Sequence, residues 1–591
     1  MLSNAIVASM LATCYVLIVV LQLNPTLPLH PVRLAPLALA IGPLYLVYLT
    51  AITYTMLVLG QLFSRELFSP GWLSVRTLSW LGALAAAAGA TLMWANVDTF
   101  ALVLEPATAR AMTSGGVAVA AASALFGIVA LSRPRVRSGP RVAAAVCLSI
   151  VAVGSVVTPM MLRGRGIVEP LAAHVIDAAL DVPDRERQAR VVLIAIDGGS
   201  LDLVAHATAE GRLPNFGRIL DAGAVMHLAT LHPTSAQAVW AAVATGKLPQ
   251  KNGVRSANIY RLSGSDEPIR LLPDFCFASG LLRFGFLTDE PHTAATLRAR
   301  TLWSLLSAEG IPVGVVNWPL TDPAPPVRGY VVSDAYAESA LSALAEPSGP
   351  WLTTPARLDL RPMLYPPELE AETMPLLRAS VADPADVVPA GLEAVVGSRH
   401  QRPGRVDRAY DRIARALQSS RPTQVTVMRY ESLDPMGHYF LRYAMPDRFG
   451  DISDGERRRL APVLERHYAL IDEAIGRATA SLGPEDLLLV VSGYGMEPLG
   501  FGKRLLEQAI GDPEVSGTHE AAPDGFLMAY GANVQKARLL GRASVVDVVP
   551  TALYFLGLPI GRDMDGYART DLFAQAFTEE RPIAFIPTYE R

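Results

Sequence analysis

Five long apolar stretches fill most of the first 162 residues, and nothing else in the chain restricts its fold as strongly. They run over about 5–23, 34–62, 77–96, 112–131 and 142–162, and none has a charged residue in its core. A helix needs about 20 such residues to cross roughly 30 Å of hydrocarbon, where every backbone N–H and C=O must be paired within the segment. The pattern therefore predicts an α-helical bundle of five transmembrane helices over residues 1–162. A cleaved signal peptide would not be followed by four more segments of this kind, so Met1–Leu23 is read as a membrane helix.

Charges in the short loops orient the bundle. Arg133, Arg135, Arg137 and Arg141 follow the fourth stretch, and Arg65 and Arg76 follow the second. The loop after the third sets Asp98 and Glu105 against Arg110. The excess of arginine places the second and fourth loops in the cytoplasm. Five crossings then start inside and end outside. The expectation is an integral membrane protein with a cytoplasmic amino terminus and a periplasmic or extracellular carboxyl-terminal domain. No Asp, Glu, Lys or Arg lies mid-membrane, which argues against an ion pathway and for an anchor or lipid-facing platform. The formal net charge is −4, and no dense basic patch interleaves with aromatics, so nucleic acid is not an expected partner. The bilayer is the expected partner, and no protein partner can be named. Cys14 and Cys147 fall in membrane stretches and Cys276 stands alone, so there is no disulfide framework to read.

After a linker at 163–190, Val191–Ile196 is a continuous apolar run of strand length followed at once by Asp197-Gly198-Gly199. Similar runs recur at Ile311–Val316, Gln424–Met428 and Leu487–Val491, with helical stretches such as 301–309 and 461–481 between them. Continuous runs suit strands covered on both faces. The alternation predicts an α/β sandwich with a mostly parallel central sheet over 191–591, with insertions near 260–295 and 335–420 that could cap a cleft. Asp197, Asp434 and Ser492 stand at or just past strand ends, where such sheets place ligands.

Several segments resemble, in family order, the type I phosphodiesterase/nucleotide pyrophosphatase branch of the alkaline phosphatase superfamily. They are Ile196-Asp197-Gly198, Gly211–Asn215, Trp240–Lys247, Asp434-x-x-x-His438, Gly517-x-His519, Val546–Thr551 and Gly557–Gly566. Five helices ahead of such a domain also resemble the layout of phosphoethanolamine transferases and lipoteichoic acid synthases, a likeness of architecture alone. The resemblance implies two divalent cations that clamp a phosphoryl group while a Ser or Thr attacks phosphorus. One cation's ligands map onto Asp434, His438 and His519, all present. The other's map onto Asp197, onto the nucleophile, and onto an Asp-His pair replaced here by Gly493 and Tyr494. The nucleophile position is Ala236.

A slip of one residue would bring Ser235 to that position, at the cost of turning the side chain about 100° around a helix. Helix ends are the least certain boundaries, so Ser235 remains a candidate. Two imidazoles and a carboxylate suit one Zn²⁺ or Mn²⁺ with an open coordination position. Asp197 reads either as a metal ligand or as the cap of the following turn. Tyr494 is a poor ligand because a phenol stays protonated near neutral pH. Glu497 and Glu520 read as solvated loop residues or substitute carboxylates, and Arg457–Arg459 as the polar start of a surface helix.

Three functional readings follow. The first is a domain that binds one metal and a phosphorylated lipid or glycan with reduced or absent hydrolysis. The second is a working one-metal hydrolase or phosphotransferase using water or Ser235. The third is a scaffold subunit of a membrane complex.

Overall fold

The structure, a computed structural model, describes residues 1–64, 73–132, 139–163, 189–262, 267–344, 359–381, 398–450, 452–510, 512 and 514–590. Most of the expected linker, Arg65, Arg133, Arg135, Arg137 and parts of the 335–420 insertion lie outside the described residues. The chain divides into two units, Met1–Leu171 with Arg255–Pro291, and Ala172–Val254 with His292–Arg591. Residues 255–291, which hold most of the 260–295 insertion, thus group with the apolar helices.

The first unit contains α1 (Leu2–Leu23), α2 (Pro31–Ser64), α3 (Val75–Thr99), α4 (Pro106–Leu131) and α5 (Gly139–Arg163). All five are long and apolar enough to cross a bilayer. Val47, Ile52, Ile128 and Ile150 are exposed, an outward apolar face that water would not tolerate across a whole bundle. Between the helices, Tyr15 and Ser155 hydroxyls share a buried 2.7 Å hydrogen bond that ties α1 to α5. Arg163, at the end of α5, donates to the carbonyls of Leu21, Asn24 and Leu27 at 2.6–2.8 Å. Carbonyls at and beyond the end of α1, which have no intrahelical partner, are satisfied in this way.

The second unit is built on a ten-stranded sheet. Its strands are β1 (Val191–Ile196), β2 (Ala224–Ala229), β3 (Val313–Trp318), β4 (Gly329–Ser333), β5 (Leu364–Tyr365), β6 (Val425–Tyr430), β7 (Leu487–Tyr494), β8 (Asp524–Tyr530), β9 (Arg538–Leu539) and β10 (Ala543–Ser544). The order is β9-β2-β8-β7-β1-β6-β3-β4-β5, with β10 also on β2. The run β7-β1-β6-β3-β4 is parallel, and β8 is antiparallel to both of its neighbours. Alternating side chains feed two cores, because successive Cβ atoms point to opposite faces. Leu193, Val427 and Leu489 join one core; Ile194, Met428 and Val490 join the other. This double coverage is why every residue of β3, β6 and β7 is buried, and why the central runs read as continuously apolar.

Three helices of this unit position the site. They are α6 (Ala236–Thr245), α7 (Leu433–Ala444) and α8 (Asp454–Ser481). A capping box between Ser453 and Glu456 starts α8, and Arg457–Arg459 are exposed on its first turns.

Candidate functional site

The carboxyl ends of β1, β6 and β7 converge with the amino-terminal turns of α6 and α7. Backbone needs explain much of the local geometry. Asp197 N–H continues the ladder by donating to Tyr430 O (2.9 Å), and the chain then turns at Gly198 with φ +66°. A side chain at Gly198 would be strained by that angle and would sit 3.1 Å from Asp434 Cα, so the glycine lets the turn lie against α7. Ser492 Oγ accepts from Gly199 N–H (3.1 Å) and donates to Tyr494 O (2.9 Å), fastening the same turn to β7. At the start of α7, Glu431 and Ser432 N–H groups donate to Asp407 at 2.9 and 3.0 Å. Burial pushes the Asp407 carboxyl up to about 7, with the Glu431 charge adding to the shift.

Asp434 and His438 stand one turn apart on α7, so their side chains share a face. His519 follows the short strand Gly517–Thr518, which pairs with Glu497–Pro498. Together the three offer ligand atoms that all lie within 4.8 Å of one another. His438 Nε2 is 3.8 Å from Asp434 Oδ2, and His519 Nε2 is 3.6 Å from Asp434 Oδ1. Two ligands at Zn–N and Zn–O lengths on a tetrahedral ion would be about 3.4 Å apart, so only slight closure is needed. His438 Nδ1 is 2.8 Å from Gly517 O. With the proton assigned to Nδ1 by that bond, Nε2 presents its lone pair toward Asp434, the tautomer a metal ligand needs. Asp434 Oδ1 is buried with no hydrogen-bond partner, as is His519 Nδ1. Buried polar atoms are ordinarily paired, so an unpaired carboxylate oxygen facing two imidazoles fits a cation.

Asp197 does not belong to this cluster. Asp197 is 4% exposed, and its carboxylate is taken by the Arg429 guanidinium and by the Trp240 indole N–H. Burial pushes its carboxyl up to about 7 against the opposing pull of Arg429, with Asp434 adding to the rise. Arg429 is itself buried, and it also donates to Asn317 O (2.8 Å) and Glu431 (2.7 Å). Trp240 packs edge-on against Trp318, with ring centroids 5.2 Å apart. Gly493 is not merely lacking a ligand: a Cβ there would meet Val239 Cγ1 at 2.5 Å. Tyr494 is fully buried with its ring 5.1 Å from His519, and burial raises its phenol well above the usual range. Its hydroxyl lies beside the Asp197 and Asp434 carboxylates, whose charges add to the rise. It is a neutral phenol.

Ser235 occupies the N-cap position of α6, yet its hydroxyl makes no capping bond and is buried without a partner. Ala236 is the first residue of that helix. Thr234 Oγ1 donates to Leu231 O (2.8 Å), and Thr234 N–H donates to Glu520 O (3.1 Å), which ties this segment to the one bearing His519. The Glu520 side chain is exposed and pairs with Lys503, away from a ligand role. Arg429 is the residue that sequence reasoning missed. Its signal was present: one cation inside the otherwise uncharged buried run Val425–Tyr430 must have an internal partner.

The model of the family described as Type I phosphodiesterase / nucleotide pyrophosphatase matches residues 191–539. Among solved structures, murine ectonucleotide pyrophosphatase/phosphodiesterase 5, in an inactive form in complex with AMP, is similar at 12% identity and a TM-score of 0.37. That match covers 66% of this chain and 100% of that one. A second structure of the murine protein is similar at 12% identity and a TM-score of 0.35, over 65% of this chain and 100% of that one. No curated protein matches the chain.

Proposed function

The chain belongs to the type I phosphodiesterase / nucleotide pyrophosphatase family, and from that premise we propose that it is a membrane-anchored member which binds one divalent metal and a phosphorylated envelope ligand, with slow or absent hydrolysis. The observation that carries this reading is the environment of Asp197, whose carboxylate is already neutralised by Arg429 and capped by Trp240. A second cation would need that carboxylate free. The guanidinium offers one charge where the resemblance implies two. It also points its donors at Asp197, Asn317 and Glu431, so it has no coordination position to exchange.

The first site keeps its parts. A divalent ion held by Asp434, His438 and His519 would supply charge neutralisation to a bound phosphoryl group. Gly517 O sets the His438 tautomer, and the neutral Tyr494 hydroxyl faces the same carboxylate that would hold the ion. Phosphoryl transfer depends mainly on positioning and charge neutralisation, and each missing preorganised partner typically costs roughly 10²- to 10³-fold. Hydrolysis of p-nitrophenyl phosphodiesters is therefore expected to run at least about 10³-fold below that of relatives with both cations. Ala236→Ser, Gly493→Asp and Tyr494→His combined are expected not to restore it, because the new Asp meets Val239 and Arg429 still holds Asp197.

One observation favours the competing reading of an active one-metal enzyme: the buried, unpartnered Ser235 hydroxyl at the helix start. Robust metal-dependent turnover that is lost in Ser235→Ala would overturn the binding reading in its favour.

Anchoring and sidedness are part of the proposal, with the amino terminus in the cytoplasm and residues 191–591 outside. A reporter active only outside the cytoplasm should give signal when fused after residue 590, and one active only inside should work near Ser138. The reverse pattern at either point sinks this topology.

A further inference from the structure

Residues 255–291 enter the first unit as a hairpin, with Asn258–Leu262 antiparallel to Leu287–Pro291. Two amides clip the loop between these strands to one end of the helical bundle. Asn24, just past α1, accepts from Arg270 and Leu271 N–H (2.8 and 3.0 Å) and donates to Leu271 O (2.7 Å). Asn96, in the last turn of α3, accepts from Asp274 N–H (2.8 Å) and donates to its carbonyl (3.3 Å). At the same end, the buried Arg255 guanidinium pairs with Glu105, the N-cap of α4.

The loop then packs along α2. Cys276 Sγ is 3.5 Å from the Tyr45 hydroxyl, and the Phe277 ring centroid is 6.2 Å from that of Tyr48. Leu281 and Leu287 join a buried cluster with Leu37, Ile41 and Tyr45. The depth is informative. α2 has 34 residues, about 51 Å of helix, while the hydrocarbon layer takes about 30 Å. A layer that begins at Ser64, the far end of α2, would reach its opposite edge near Tyr48 and Tyr45, about 24 and 28 Å along the helix. Tyrosine collects at such an edge, and phenylalanine serves on the apolar face of elements that lie in it.

The exposed side of the loop is wrong for water. Phe275 is 68% and Phe284 59% exposed, and no acidic residue occurs from Phe275 to Leu287. Arg283, also exposed, sits beside Phe284, where a long cationic side chain reaches phosphate while its stem stays apolar. Phe275 and Phe277 adopt φ values of 62° and 56°, a conformation costly for bulky residues. Such a conformation persists only where the surrounding structure enforces it, and here it leaves the Phe275 ring outward.

We propose that residues 274–286 form an in-plane membrane element, with Phe275 and Phe284 embedded in the boundary between acyl chains and headgroups and Arg283 at the phosphates. This rests on the membrane-anchored reading above. The test is spin-label accessibility in the full chain reconstituted in phospholipid nanodiscs, with Cys14, Cys147 and Cys276 changed to Ala. Labels are placed singly at Phe275→Cys, Phe284→Cys and, as a bundle reference, Ile150→Cys. Lipid exposure is expected at all three, seen as collision with oxygen several-fold favoured over collision with a water-soluble nickel chelate, and shallower at 275 and 284 than at 150. A nickel-favoured ratio at 275 and 284 with a lipid signature at 150 overturns the element alone. Low access to both reagents at 275 and 284 also overturns it, because protein or a second copy then covers the loop. A nickel-favoured ratio at all three overturns the anchored reading as well. Should the cysteine-free chain fail to fold, p-benzoylphenylalanine at Phe284 in the otherwise unaltered chain serves instead. A one-phospholipid mass adduct on irradiation is expected, and its absence refutes the proposal.

Discussion

Purified in detergent and dialysed against Zn²⁺ or Mn²⁺, the chain is expected to retain one equivalent of metal, and His438→Ala is expected to retain none. Asp434, His438 and His519 supply three donors whose ligand atoms lie within 4.8 Å of one another, with one imidazole already oriented by Gly517 O. Removing one of three protein ligands leaves a carboxylate and a single imidazole, too few for tight binding of either ion. Ala at Asp197 is expected to leave the stoichiometry at one, since that carboxylate is committed to Arg429 and Trp240. Elemental analysis with native mass spectrometry reads this directly. Two equivalents would restore the two-cation reading, and zero would favour the scaffold.

Arg429→Met is expected to destabilise the second unit by roughly 3–5 kcal/mol, the usual consequence of leaving one member of a buried ion pair without its partner. Asp197 is 4% exposed and would keep only the Trp240 N–H, while Glu431 would lose a 2.7 Å partner. The double variant Asp197→Leu with Arg429→Met is expected to recover a large part of that loss. Replacing both members of a buried pair with apolar groups removes the desolvation penalty together with the attraction. Denaturant midpoints of the full chain, combined in a double-mutant cycle, measure the coupling. A near-neutral Arg429→Met would show that the guanidinium does not substitute for a cation. Binding without turnover would then lose its principal physical basis.

These two sites differ in how far they could be read from residues alone. The triad was legible because Asp434 and His438 stand at helical spacing after a buried strand, and His519 follows in family order. The central strands were legible for a related reason. A strand covered on both faces must be apolar at every position, so Val191–Ile196 and Leu487–Val491 announce themselves. Their expected limits differ from the observed ones by a few residues. The structure carries β6 on to Tyr430 and β7 to Tyr494, because ladder pairing with β1 and β8 continues past the apolar run.

The fate of Asp197 was not legible. Both readings of it, metal ligand or turn cap, concern its neighbours in sequence, whereas its partners Arg429 and Trp240 lie 232 and 43 residues away. Likewise the absence of a side chain at Gly493 shows in the sequence, but the Val239 methyl that occupies the space does not. Sequence by itself determined the five apolar helices and the mostly parallel sheet, since each follows from local periodicity, while the family resemblance singled out Asp434, His438 and His519, which the fold brings together. Tertiary structure alone decided that an arginine neutralises Asp197 and that residues 255–291 join the apolar helices. Both outcomes depend on which distant groups pack together, and desolvation leaves a buried charge no alternative but the partner that packing provides.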